Sequence, residues 1–187
     1  MKAPLGASGS ERNDGTLDME KRSVEAIIRA LNAASARYLV AGGLAVVAHG
    51  YVRFTADLDL ILDLDPANLR QATAALGRLG YRPRAPVGLE EFAEPAKRAQ
   101  WVREKGLTVF SLFSAEHPAT EVDLFVESPV DFERAYRATA RIEVAPGISA
   151  TFIGLPDLLY LKQQAGRAQD LLDIDKLKAL RKESNGD

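Results

Sequence analysis

VAGGLAVVAHGYVRFTADLDLILDLD, residues 40–65, is the stretch on which the architecture turns. Its second half alternates. Leu58, Leu60, Leu62 and Leu64 fall on one side, and Asp57, Asp59, Ile61, Asp63 and Asp65 on the other. A period of two is that of a strand, so Phe54 to Asp65 is predicted as a strand with one buried face and one acidic face. In the first half, Tyr38 to Ala41 reads as a short apolar strand that Gly42-Gly43 breaks. Leu44 to His49 follows as a short helix, stopped by Gly50. Glycines between a strand and a helix let other groups approach the backbone closely, and helix-start N–H groups suit an anionic phosphate. An ordinary tight turn is the plainer reading of the same pair.

On the N-terminal side, residues 1–15 are rich in Gly, Ser and charge and lack the apolar centre of a signal peptide, so they are expected to be a flexible tail. Thr16 to Ala36 is an amphipathic helix with Val24, Ile27, Ile28 and Leu31 at helical spacing. On the C-terminal side, Asp65-Pro66 starts a helix that carries Leu69, Ala72, Leu76 and Leu79 and ends at Gly80. Tyr81 to Gly88 is a proline-rich loop, and Glu90 to Glu104 is helical despite Pro95. Leu107 to Leu112 and Glu121 to Val126 are strands. Ser128-Pro129 opens a helix through Ala138. Arg141 to Val144 and Ala150 to Ile153 form a hairpin around Pro146-Gly147. Residues 155–182 are a terminal helical segment interrupted near Gly166. The expectation is one domain over residues 16–187, of the α+β class, with a mixed central sheet flanked by helices.

Asp57 and Asp59 project from the same face of their strand with Cα atoms about 6.5–7 Å apart. Two carboxylates that close repel unless a cation neutralises them, and Mg2+ or Mn2+ takes oxygen ligands readily. For an isolated Asp-x-Asp, a solvated face on an edge strand is the preferred reading. Glu121-Val122-Asp123-Leu124-Phe125 repeats the alternation, so Asp123 joins the first pair if the two strands are neighbours.

Composition narrows the chemistry further. The 187 residues include no cysteine and only two histidines, His49 and His117, which leaves no thiolate zinc site and no histidine-rich metal site. The net charge of -2 gives no general field for nucleic acid. No apolar run approaches the roughly 20 residues of a spanning helix. A cytoplasmic location with no membrane partner is expected, since a chain without cysteine suits a reducing compartment.

The run Val40-Ala41-Gly42-Gly43-Leu44-Ala45, His49-Gly50, Arg53, Thr55 and Asp57-Leu58-Asp59-Leu60 resembles the DNA polymerase β-like nucleotidyltransferase superfamily. It is most similar to the minimal bacterial branch that includes the AbiEii-type toxin nucleotidyltransferases. Asp157-Leu158-Leu159, Lys162, Ala165-Gly166-Arg167, Asp170, Asp173 and Leu177 carry the same likeness, which spans Tyr38 to Leu180. The resemblance implies a nucleotidyltransferase fold and transfer of a nucleoside monophosphate from a nucleoside triphosphate to an acceptor hydroxyl, on RNA, a protein or a small molecule, with release of pyrophosphate. It implies that Asp57, Asp59 and Asp123 are the catalytic carboxylates and bind Mg2+ or Mn2+. Gly42 and Gly43 would cradle the triphosphate, with Arg53, Thr55 and Lys162 beside it. As partners it implies the nucleotide, an acceptor such as tRNA or a protein, and a second copy or an antitoxin. Many members carry serine where Gly43 stands, and its hydroxyl contacts phosphate; Gly43 offers backbone alone. The alternative is a non-catalytic nucleotide-binding or toxin–antitoxin module with the same fold.

The flanking residues keep two readings each. Arg53 reaches phosphate or is a surface charge. Thr55 orients an aspartate or simply favours the strand. His49 touches substrate or, preferably, closes the short helix. Lys162 approaches phosphate or lies on a solvated helical face, and its spacing from Asp170 is about two helical turns. Asp170 is read as a salt-bridge residue, and Asp63 and Asp65 as strand-end and cap residues. Trp101 among Arg82, Arg84, Lys97, Arg98, Arg103 and Lys105 is a conceivable base-stacking patch, with an ordinary amphipathic surface preferred.

Overall fold

The acidic strand pairs on both sides, and that places it in the middle of the sheet. The structure is a computed structural model that describes residues 11–184, with side chains from residue 21 onward. In chain order the elements are α1 (Glu11–Ala33), β1 (Tyr38–Val40), α2 (Gly42–Ala48), β2 (Asp57–Leu62), α3 (Pro66–Arg78), β3 (Arg82–Pro83), a 3-10 turn (Leu89–Ala93), α4 (Pro95–Lys105), β4 (Val109–Phe113), β5 (Glu121–Phe125), α5 (Phe132–Arg137), β6 (Ala140–Ala145), β7 (Ile148–Phe152), α6 (Leu155–Ala165) and α7 (Ala168–Ser184). Of the expected tail, residues 1–10 lie outside the described residues, whereas residues 11–15 belong to α1, which starts before the predicted Thr16 and ends at Ala33 rather than Ala36.

The described strands form one mixed sheet in the order β3-β4-β5-β2-β1-β7-β6. β2 lies antiparallel to β1 and parallel to β5, and β1 lies parallel to β7. The chain is therefore α+β with a mixed seven-stranded sheet, as the sequence pattern implies at that level. Leu58, Leu60 and Leu62 share a core with Val122, Leu124, Phe110 and Leu112 of the neighbouring strands and with Ile27, Ile28, Leu31, Leu69 and Leu76 of α1 and α3. On the opposite, acidic face α2 packs against β2, α6 packs against α2, and α7 packs against α6.

Several boundaries differ from the pattern, each for a physical reason. The alternation from Phe54 to Asp65 yields a strand only over Asp57–Leu62, because partners exist only there: β5 pairs residues from Asp57 to Leu60 and β1 pairs from Leu60 to Leu62. The short helix begins at Gly42 rather than after the glycine pair. Pro95 opens α4 instead of disturbing it, since a first-turn proline lacks only an N–H that would be orphaned anyway. Asp131, not Ser128, caps α5 by accepting from the Arg134 N–H. The proline-rich loop holds β3, two residues long, and Pro83 is tolerated because the strand lies at the sheet edge. Asp65 caps α3 as expected, accepting from Ala67 and Asn68, and Asp63 accepts from Arg37 at the strand end.

Trp101 is buried and stacks on Phe110 with centroids 5.1 Å apart, and the Arg98 guanidinium is buried against the Phe92 carbonyl. That segment presents no stacking platform for a base. No described helix is long and apolar enough to cross a membrane.

Candidate active site

Parallel pairing of β2 with β5 sets Asp59 directly beside Asp123 and Asp57 beside Glu121. Neighbouring strands are about 4.8 Å apart, so the Asp59 and Asp123 side chains rise from adjacent points of one face. Asp59 and Asp123 are half-buried and Asp57 is exposed. Burial pushes the Asp59 carboxyl up to about 6, and the charges of Asp123 and Asp57 push the same way; the cations Lys162 and Arg167 pull it down without cancelling the rise. Asp57 is raised as well, first by burial and then by Asp123 and Glu121. Asp123 Oδ1 is buried and has no hydrogen-bond partner. Glu121 stands apart from this set, because Arg84 holds it in an ion pair and keeps its carboxyl below the ordinary range.

The donor set fits a hard divalent cation. It is all oxygen, it concentrates negative charge that no protein cation fully offsets, and it includes a buried oxygen awaiting a partner. Among the described residues no group of three or more His, Asp or Glu side chains is gathered closely enough to hold a metal ion as it stands.

The glycine pair is packed onto the carboxylates. Gly42 has a φ of +59°, and a Cβ there would overlap the Asp59 carboxylate outright. A Cβ on Gly43 would strike the Thr55 hydroxyl and stand 2.8 Å from Thr55 Cβ and 2.9 Å from Arg53 Nη2. Glycine at 42 is thus required twice, by backbone conformation and by space.

Arg53 and Lys162 are not the solvated charges of the plainer reading. Arg53 Nη2 donates to Asp173 Oδ2 at 3.1 Å, and Nη1 donates to the Phe54 carbonyl at 2.9 Å. Its Nε is 3.0 Å from Asp173 Oδ1, an ion pair in distance, yet its N–H is not aimed there and has no acceptor. Lys162 is buried, with Nζ 2.9 Å from Asp170 Oδ1 and 2.8 Å from Asp173 Oδ2. Asp170 also accepts from Arg167, and Asp173 from Gln169. Burial alone would raise both aspartates; their hydrogen bonds and the nearby cations outweigh it and leave them below the ordinary range. Lys162 and Asp170 do not meet on one helical face. α6 stops at Ala165, Gly166 turns with a φ of +62°, and the pair meets across the corner between α6 and α7.

His49 sits at the C-terminal end of α2, and its Nε2 donates to the Ile153 carbonyl at 2.8 Å, so it ties α2 to the end of β7. Asp173 carries no role in the sequence pattern, yet it is central to the charge network. It joins Arg53 to Lys162, and only the folded corner of α6 and α7 reveals that. Two clefts, of about 490 and 530 Å3, lie elsewhere, against Arg37, Tyr38 and Arg141 and against Arg134, Asp157 and Tyr160, and neither is lined by the three aspartates. Unbalanced charge, not cavity volume, marks the site. No family model matches the chain, and no curated protein matches it closely enough to count as a relative.

Proposed function

We propose that the chain has the nucleotidyltransferase fold and is a metal-dependent nucleotidyltransferase, moving a nucleoside monophosphate from a triphosphate to an acceptor hydroxyl with release of pyrophosphate. The observation that carries this reading is Asp59 beside Asp123 on paired central strands, with a buried, unpartnered Asp123 oxygen and Gly42 pressed against the Asp59 carboxylate. Asp57, Asp59 and Asp123 would hold Mg2+ or Mn2+. Such an ion, when bound, neutralises phosphate oxygens and favours the alkoxide form of an attacking hydroxyl. Asp123 is assigned to assist deprotonation of the acceptor hydroxyl. Gly42 and Gly43 would offer the triphosphate only backbone N–H groups, since Asp59, Thr55 and Arg53 fill their side-chain space. Lys162, Arg53 and Arg167 put positive charge on the α7 side of the carboxylates, where the phosphates would lie.

The test is label transfer from each α-phosphate-labelled nucleoside triphosphate, with Mg2+ or Mn2+, total tRNA and cell extract. The Asp57→Asn, Asp59→Asn double variant runs beside the wild type. Label transferred by the wild type alone identifies the enzyme and its acceptor class. The second reading, a nucleotide-binding or toxin–antitoxin module without turnover, draws on Lys162, whose ammonium is already engaged by Asp170 and Asp173. Nucleotide binding without transfer to any acceptor would favour it.

A further inference from the structure

The end of α1 is closed by a residue that does not suit it. The Ala36 N–H donates to the Leu31 carbonyl and the Ser35 N–H to the Asn32 carbonyl, both at 3.0 Å, which makes Ser35 the turn residue of the helix end. Helices commonly place glycine there, because the turn residue is left-handed. Ser35 has a φ of +53° and is the one non-glycine with a positive φ among the described residues. Helix closure alone favours glycine, so the serine calls for a further reason.

Ser35 lines the cleft of about 490 Å3 between α1, α5 and the β6–β7 hairpin, together with Arg37, Tyr38, Tyr136, Arg141 and Ser149. Among the described residues no Asp or Glu lines it, in a chain whose net charge is -2. Its two guanidiniums differ. Arg37 is balanced by Asp63 and Glu133 and lies over the Tyr136 ring, 4.7 Å from the centroid. Arg141 is exposed and has no hydrogen-bond or ion-pair partner among the described residues. Glu143, two residues along the same strand, accepts instead from the Gly147 N–H. The hydroxyls of Ser35, Tyr136 and Ser149 likewise have no partner among the described residues. Beneath them the wall is fixed: the Tyr38 hydroxyl donates to Asn32 Oδ1 at 2.9 Å, and Asn32 Nδ2 donates to the Ser149 carbonyl at 2.8 Å, tying α1 to β7. The Leu31 and Asn32 carbonyls, which would repel an anion at this helix end, are taken up by the closing bonds.

We propose that this cleft binds the phosphate group of a small phosphate monoester. Arg141 supplies the charge, and the hydroxyls of Ser35, Ser149 and Tyr136 donate to the phosphate oxygens that the guanidinium leaves free. Ser35 keeps its place in the turn because its hydroxyl serves the ligand. None of Asp57, Asp59 and Asp123 lines the cleft, so the site stands apart from the carboxylate set and from the transfer reaction proposed for it.

The test is titration of the full chain with inorganic phosphate, ribose 5-phosphate and acetate, followed by backbone amide shifts in NMR. EDTA keeps metal off the carboxylates, and ionic strength is held constant. The variants are Arg141→Gln, Ser35→Gly and Arg137→Gln, the last an exposed arginine of α5 outside the cleft, and each is also melted. Both phosphates should give saturable shifts at Ser35, Arg141 and Ser149, with acetate binding more weakly. Arg141→Gln should weaken phosphate binding by about tenfold or more, the scale of hydrogen bonds to a charged group, with the melting temperature unchanged. Arg137→Gln should bind like the wild type. Ser35→Gly should bind several-fold more weakly yet melt about 2–4 °C higher, because the left-handed turn is relieved. No saturable shift, the same affinity in Arg141→Gln, or an equal loss in Arg137→Gln would overturn the site. Acetate as tight as phosphate would overturn the ligand class. Ser35→Gly binding like the wild type would overturn the role given to Ser35, whatever its melting temperature.

Discussion

Asp59 shows what a carboxylate of the candidate site costs the fold. Its folded carboxyl titrates at about 6, above the ordinary aspartate value. A carboxyl with a raised folded pKa holds its proton more tightly when folded, so the fold is favoured while it is protonated and loses stability as pH rises from about 4 to 6. Asp59→Asn should therefore stabilise the metal-free protein by about 2 kcal/mol at pH 7.5 and by nearly nothing at pH 4, checked by denaturant melts at the two values. An equal effect at both values would mean that charge is not the cause. Gly42→Ala should cost about 3 kcal/mol or more, since it combines a left-handed backbone with overlap on Asp59; a melt within experimental error of the wild type would refute that packing. The candidate carboxylates were legible in the sequence because a two-residue period is purely local. What Gly43 lacks was legible too, but not what fills its place, since Thr55 and Arg53 reach it only through a fold-dependent path.

At the scale of elements, the corner of α6 and α7 matters most. Lys162 is buried between two buried aspartates, with Arg53 and Arg167 outside them. Removing the lysine leaves two like charges facing each other in a poor solvent, which is worse than losing a surface pair. Lys162→Ala should cost about 3–5 kcal/mol by urea unfolding, and adding Asp170→Asn and Asp173→Asn should return part of it. If the triple variant is no more stable than the single one, packing rather than charge explains the loss. The aspartates themselves, held below the ordinary range, stabilise the fold above about pH 4, and that contribution falls away as they protonate. The break at Gly166 was readable from the glycine, and the capped start of α3 from Asp65-Pro66. Strand ends were not readable, because alternation states which residues would suit a sheet whereas pairing decides which are in one. β3 lay beyond pattern altogether: two residues carry no period.

For the molecule as a whole, the site exists only where distant segments are sewn together. Asp59 and Asp123 become neighbours through a parallel pairing that the chain reaches after α3, α4 and the antiparallel β3 and β4. Parallel pairing needs a long crossover, so no local fragment can assemble the carboxylate set. The chain's single tryptophan, Trp101, stacks on Phe110 of β4, which pairs with the β5 strand that carries Asp123. Its fluorescence therefore reports the same sheet that would hold the metal. In guanidinium, Mn2+ release followed by paramagnetic resonance and loss of the buried tryptophan signal should share one midpoint. Mn2+ should also raise that midpoint without changing the slope, because a ligand that binds only the folded state adds stability without altering the surface exposed on unfolding. Release at a lower midpoint than the fluorescence change would mean that the acidic face opens as a separate unit, and that the corner of α6 and α7, rather than the sheet, holds the carboxylates in order.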